Sequence, residues 1–366
     1  MKGGSTMDVE NKKICVIVSG LIIGIIATIL VTLGNPANMG LDSISFLRDT
    51  MGALGFHQTA GAQYIRPELI GLVWGALILA VLRKQYHARG GSAPLVRFVV
   101  GFFVAIGAMV FMGDPFRMLM RIGGGDWTAI VGLVGFIVGA AIGAYFLNRG
   151  FTLPAVQEVN VLESAFMPIL KIVLLILLLV APTFIVFSSG EDIGAIHASI
   201  IISLIGGLII GAIAQQMRFC FANTFRSLFL EKNVTMLLGW IGVLVAIFIV
   251  NGITHQFHSG VDMQPFANTD ALWNFLGMVL VGWGCTLIGG DPIRQLVRSG
   301  EGDTDAAITV IGMATGAALS ENFALSSTVS GATPTGQIAV IIGIIVVLII
   351  SGYYSCKTCR TPHQEG

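Results

Sequence analysis

Apolar stretches of about 17 to 24 residues recur along this chain, each long enough to cross roughly 30 Å of hydrocarbon as a helix. Ten are predicted, at 13–33, 67–83, 95–112, 127–147, 165–187, 195–215, 235–254, 271–289, 304–322 and 335–353. No stretch alternates with the period of two that a lipid-facing strand needs, so a β-barrel is excluded. The first stretch follows Lys12 and Lys13 as a signal peptide would, but it runs on to Gly34-Asn35-Pro36 without a small-residue cleavage site, and a mature helix is expected.

Composition sharpens that picture. Of 366 residues, 55% are apolar and only 11% charged, against roughly 25% charged in a soluble domain. The expected fold class is therefore an all-α polytopic membrane protein. Twenty Lys and Arg balance twenty Asp and Glu, which leaves no bulk basic field and excludes nucleic acid as a partner. Their placement is uneven. The N-terminal tail (Lys2, Lys12, Lys13), the 83–97 connection (Arg83, Lys84, Arg89, Arg97), the 216–234 connection (Arg218, Arg226, Lys232), Arg294 with Arg298, and the C-terminal tail (Lys357, Arg360) all fall on one side if ten spans hold. Positive residues resist translocation, so both termini are expected in the cytoplasm. Arg48, Arg66, Arg117 and Arg121 fall on the other side and need a separate reason.

A repeat supplies one. Residues 113–126 (GDPFRMLMRIGGGD) and 290–303 (GDPIRQLVRSGEGD) share nine of fourteen positions at an offset of 177. A fainter echo, 39–48 (MGLDSISFLR) against 217–226 (MRFCFANTFR), sets Asp42 opposite Cys220 at an offset of 178. Five spans per copy is an odd number, so the second copy enters the membrane inverted. The expected division is a cytoplasmic tail 1–12, a first repeat 13–187, an inverted second repeat 188–353 and a cytoplasmic tail 354–366. Inverted repeats with a path near the midplane are characteristic of transporters, an argument by analogy of architecture.

Candidate chemistry clusters in the duplicated segments. Asp114-Pro115 and Asp291-Pro292 read as helix starts, with Asp as cap and Pro in the first turn. Arg117 and Arg121, like Arg294 and Arg298, are four apart and share a helix face. Helices this short cannot span and are expected to be re-entrant. Their N-termini, with Arg beside them, suit an anion. Singly, each Asp is equally a plain cap and each Arg a snorkelling side chain; as a repeated set inside a membrane they read as functional. Asp42, Arg48 and Arg226 join the proposed path from the echo segments. Cys220, beside Arg218 at a helix start, has a better case for reactivity than Cys285, and Cys15 reads as packing.

No cofactor or metal is expected. His57, His87, His197, His255, His258 and His363 have no metal-ligand spacing. Cys356 and Cys359 form one isolated CxxC, a weak signal for half a metal site, a redox pair or nothing, and five scattered cysteines give no disulfide framework. There is no phosphate-binding loop for ATP.

With these residues in view, GNPANMG (34–40), FLRDTMGALGFH (46–57), YIRPE (64–68), the two GDPxR segments and GEGDTDAAITVIG (300–312) resemble the YeeE/YedE family of sulfur-transport membrane proteins, and within it the YedE branch linked to selenium metabolism. The resemblance implies a multi-helix inner-membrane permease for thiosulfate or a related sulfur or selenium species, working through cysteines along a central path. Where it implies cysteine, this chain has Asp42, Ser45, Asp114 and Asp291; only Cys220 stands at a cysteine position. A thiol holds a sulfur anion weakly, whereas Asp repels it when ionised and donates a stronger hydrogen bond when protonated. Three Asp in such a path could carry protons instead.

Two other readings compete. Gly123-Gly124-Gly125-Asp126 and Gly300-Glu301-Gly302-Asp303 each match the GxGD string of intramembrane aspartyl proteases, which need two carboxylates in one site; inversion would separate Asp126 from Asp303. Alternatively the chain anchors a cytoplasmic sulfur- or selenium-handling protein at its C-terminal tail.

Overall fold

A computed structural model describes residues 9–190, 192–262 and 264–360. Among them the long helices are α1 (Val9–Thr32), α3 (Pro67–Leu82), α4 (Pro94–Phe111), α6 (Thr128–Asn148), α8 (Phe166–Val180), α9 (Ile200–Met217), α11 (Thr235–Ile253), α12 (Ala271–Leu287), α14 (Thr304–Asn322) and α15 (Pro334–Arg360). Short helices α2 (Ser43–Ala53), α5 (Pro115–Gly123), α7 (Val161–Ser164), α10 (Phe221–Glu231) and α13 (Pro292–Gly300) lie between them. Two residue pairs, Arg89–Gly90 and Gln157–Glu158, make a minimal antiparallel ribbon. The chain is an all-α polytopic membrane protein.

Eight segments, rather than ten, are long and apolar enough to cross a membrane, and three of these combine a long helix with the short one after it: Pro94–Gly123, Ile200–Glu231 and Ala271–Gly300. The two expected spans that fall short do so for different reasons. At 165–187 the helix stops at Ala181, whose φ of 45° is left-handed, just before Pro182; proline has no N–H to continue the ladder. The chain from 182 onward instead covers the α2–α3 connection, with Val186 N–H donating to Ala53 and Ser188 N–H to Gln63. At 304–322 the helix has full length, but Asp305, Thr309, Thr315, Ser320 and Glu321 make it too polar to face lipid, and most of it is buried. α1 begins at Val9 and α15 runs to Arg360, so Cys356 is an exposed helical residue.

The packing has a two-fold pattern. With α1 matched to α9, α3 to α11, α4 to α12, α5 to α13 and α6 to α14, each main contact has a twin: α1 on α11 and α9 on α3, α6 on α12 and α14 on α4, α5 on α11 and α13 on α3. The matched pair α4 and α12 cross each other at the centre through glycines. A Cβ on Gly107 would stand 2.6 Å from the Gly277 carbonyl oxygen, and one on Gly284 would press into Val104 and Val100. As numbers rise along α4 they fall along α12, so these corresponding helices run antiparallel. By contrast α6 and α12 run parallel, Gly135 meeting Phe275 and Gly139 meeting Val279. Small residues let the backbones approach this closely where no hydrophobic force drives helix on helix in lipid.

Candidate functional site

Four short helices begin in the interior, in two pairs. Met112, with φ 65°, and Gly113 end α4 and turn the chain straight into Asp114, the cap of α5. The Asp114 carboxylate accepts from Phe116 N–H and Arg117 N–H, both at 2.9 Å, and also from Ser43 N–H, at the start of α2, at 2.8 Å. Asp291 repeats the arrangement. It caps α13 by accepting from Arg294 N–H at 2.9 Å, and it accepts from Phe221 N–H at the start of α10. Each Asp therefore ties two helix N-termini together. Both are buried, and neither forms an ion pair among the described residues. The positive helix ends expected to await a substrate anion are already occupied by the protein's own carboxylates.

The caps of α2 and α10 differ. Asp42 accepts from Ser45 N–H at 3.1 Å and pairs with Arg117 at 3.3 Å. Its counterpart Cys220 accepts from Asn223 N–H through Sγ at 3.3 Å. Arg294, left without an acid at position 220, turns to Glu301 and grips it with Nη1 and Nη2 at 3.0 and 3.2 Å. The residue matching Glu301 in the first copy is Gly124, so the partner acid has changed place between the copies. In the sequence only the mismatch between GGGD and GEGD marks Glu301.

A cavity of about 310 Å³ opens above this centre, and Ser45, Arg48, Met109, Met112, Arg117, Phe266, Ser320, Glu321 and Ser327 contribute to its wall. It adjoins a second hollow that shares Arg48, Ile193, Phe266 and Glu321. Arg117 donates to Asp42 and, at 2.9 Å, to the Phe266 carbonyl, while its Nε–H is buried without an acceptor. Arg48 pairs with Asp49 at 2.7 Å and lies 3.7 Å from Glu321. Behind it Arg66 bonds Asp49 at 2.7 Å and is sandwiched between the Phe46 and Tyr64 rings.

Arg121 and Arg298 belong to another device. Arg121 clamps Asp126 at 2.7 Å and the Phe111 carbonyl at 2.8 Å; Arg298 clamps Asp303 at 2.7 Å and the Gly289 carbonyl at 3.3 Å. Each clamp closes the end of a short helix, and a loop then docks on it. His258 and Gly260 donate N–H to the Gly124 and Gly125 carbonyls, as His87 and Arg89 do to those of Glu301 and Gly302. Gly125 and Gly302, at φ 96° and 93°, supply the left-handed turn that exposes those carbonyls. The GxGD strings are thus latches, and each Asp is taken by its own arginine. Burial alone would raise the Asp303 carboxyl, but Arg298, the Ala306 N–H and Arg89 at 3.0 Å outweigh it and hold it below the usual carboxylate range.

Of the other expected site residues, Cys285 is wholly buried within α12, where the first copy has Ala108. Arg226 is half-buried and its side chain makes no hydrogen bond or ion pair among the described residues; the position matching Asp49 is Ser227. The arginines that broke the charge asymmetry, Arg48, Arg66, Arg117 and Arg121, are each paired with an acid.

Residues 216–359 match the sulphur-transport family model. The matched segment runs from the end of α9 into α15 and holds Cys220, Arg226, Cys285, Asp291, Arg294 and Arg298, well under half of the chain. Asp42, Arg48, Asp114, Arg117 and Arg121 lie outside it. No curated protein matches the chain.

Proposed function

We propose that the protein is an inner-membrane permease for a small sulfur-containing solute of the thiosulfate type, or its selenium analogue, with both termini cytoplasmic and the cavity open to the outer face. The sulphur-transport match over 216–359 carries this reading, because that segment contains one complete copy of the paired helix starts. The antiparallel crossing of α4 and α12 supports two inverted repeats, 13–187 and 188–353, meeting at a path near the midplane. Along that path the solute passes Arg48 and Arg117, then the Asp114 and Asp291 caps, then Cys220, Cys285 and Arg294. Arg226 stands near the inner end as an unneutralised cation. Arg121 and Arg298 stay at the rim of the path and hold the short helices in place.

Reconstituted vesicles test this directly. Uptake of thiosulfate, selenite, sulfite or sulfide above that of protein-free vesicles is expected for at least one species; uptake of none would reject the permease.

A further inference from the structure

The charges around and beneath the cavity do not balance: Arg48, Arg66 and Arg117 stand against Asp42, Asp49, Asp114 and Glu321. The Arg117 guanidinium pairs with the buried Asp42 carboxylate, while the backbone N–H of the same residue donates to the buried Asp114 carboxylate. Its two terminal nitrogens are already used, by Asp42 and by the Phe266 carbonyl, while the Nε–H has no acceptor. Ser43 Oγ, on the residue whose N–H holds Asp114, is likewise buried with no partner. These are donors awaiting an acceptor in a region whose net charge is already negative. An oxyanion placed against Arg117 would meet both carboxylates in a low-dielectric interior, where like charges strongly disfavour one another.

We propose that an oxyanion entering through this cavity moves together with a proton, taken up by the buried Asp114 carboxylate at the start of α5 and by the Asp291 carboxylate at the matching place in the second half. The assignment rests on the permease reading. Asp42 is the poorer acceptor because it is bonded to a guanidinium, whereas Asp114 has only N–H donors, Asp291 has N–H donors and the Cys220 thiol, and neither has a cation. The ionisable groups facing Asp114 are Asp42 from α2, Arg117 from α5, Cys285 from α12 and Asp291 at the start of α13; those facing Asp291 are Cys220 from α10, Cys285, Arg294 and Asp114. Proton addition to a carboxylate oxygen removes one negative charge, and its loss on the far side restores it. No bond other than O–H forms or breaks.

Vesicles loaded with a pH dye and given thiosulfate provide the test. For one proton per anion, with the membrane potential clamped because the dianion plus one proton still carries a negative charge, steady-state accumulation should rise about tenfold for each unit by which the outside is more acidic, and a thiosulfate gradient alone should acidify the lumen. Asp114→Asn and Asp291→Asn keep one acceptor oxygen, enough to cap α5 and α13, and lose only the bond to the Ser43 or Phe221 N–H; both should insert, yet lose that dependence. Uptake indifferent to the pH gradient, with no lumenal acidification, would overturn the proposal and leave the permease intact. Infrared difference spectra across a pH titration read the carboxyls without any transport: a protonated-carboxyl band is expected in the wild type and should weaken in each variant. A spectrum that both substitutions leave unchanged overturns the proposal, whether or not thiosulfate moves.

Discussion

Arg117 and Arg294 occupy the same place in the two copies but are held in different ways. Arg294 has its fork closed on both oxygens of Glu301, a geometry that lysine's single ammonium cannot reproduce. Arg117 makes one longer bond to Asp42 and spends its other nitrogen on a loop carbonyl. Arg294→Lys is therefore expected to lower the maximal rate of thiosulfate uptake by about tenfold while inserting normally, and Arg117→Lys to do less. Initial rates across a substrate titration in vesicles decide between them, and equal losses would contradict the argument. A second contrast concerns the latches. Removing Arg121 leaves Asp126 buried beside no other cation, at a cost of about 3–5 kcal/mol. Asp303 keeps Arg89 when Arg298 is removed, so Arg298→Ala should cost less. Thermal unfolding in detergent should rank them in that order. The identities of Asp114, Arg117, Asp291 and Arg294 were legible because the fourteen-residue repeat exposes them. Their partners were not: Glu301, Asp49 and Phe266 reach the site through contacts that no spacing encodes.

The latch loops act on a larger unit. A Cβ on Gly302 would lie 2.9 Å from the His87 carbonyl oxygen and meet the Tyr86 ring, in a backbone region that side chains avoid. Gly302→Ala is expected to destabilise by about 1–3 kcal/mol and to loosen the 83–93 connection, which faster hydrogen exchange in that loop would show. Acid should loosen the same latch. The Asp303 carboxyl is held down in the folded state, so its stabilising contribution is present above the unfolded value of about 3.9 and is lost as pH falls through its lower folded value. Exchange in 83–93 should accelerate there while α4 and α12 remain protected. Helix existence was readable from apolar length at this scale. What misled was one proline, Pro182, and one helix, α14, whose polar side chains are covered by protein rather than lipid.

Across the molecule, cysteines placed at Ser259 and Ser326 should be labelled from one face and a cysteine at His87 from the other, since the first two lie on the cavity side and the third on the GEGD latch. A thiosulfate-protected label at Ser326 would tie the cavity to its solute. Labelling of all three from one side would refute the inversion. The large-scale pattern of charge was readable in the sequence, but its four exceptions were explained only by ion pairs formed across helices.

The reciprocal packing of the halves constrains how the chain is made. α1 finds its main partner in α11, α4 in α14 and α6 in α12, so the first half leaves the ribosome long before most of its contacts exist. The buried pair of Arg66 with Asp49 closes within the first half, whereas the pair of Arg97 with Asp305 and the Arg117 contact to Phe266 must wait for the second. A fragment ending at residue 187 should be inserted yet rapidly degraded, and co-expression with the remainder should rescue both. Biogenesis, rather than the final fold, is then the step at which a substitution on α11 or α12 would destroy the first half.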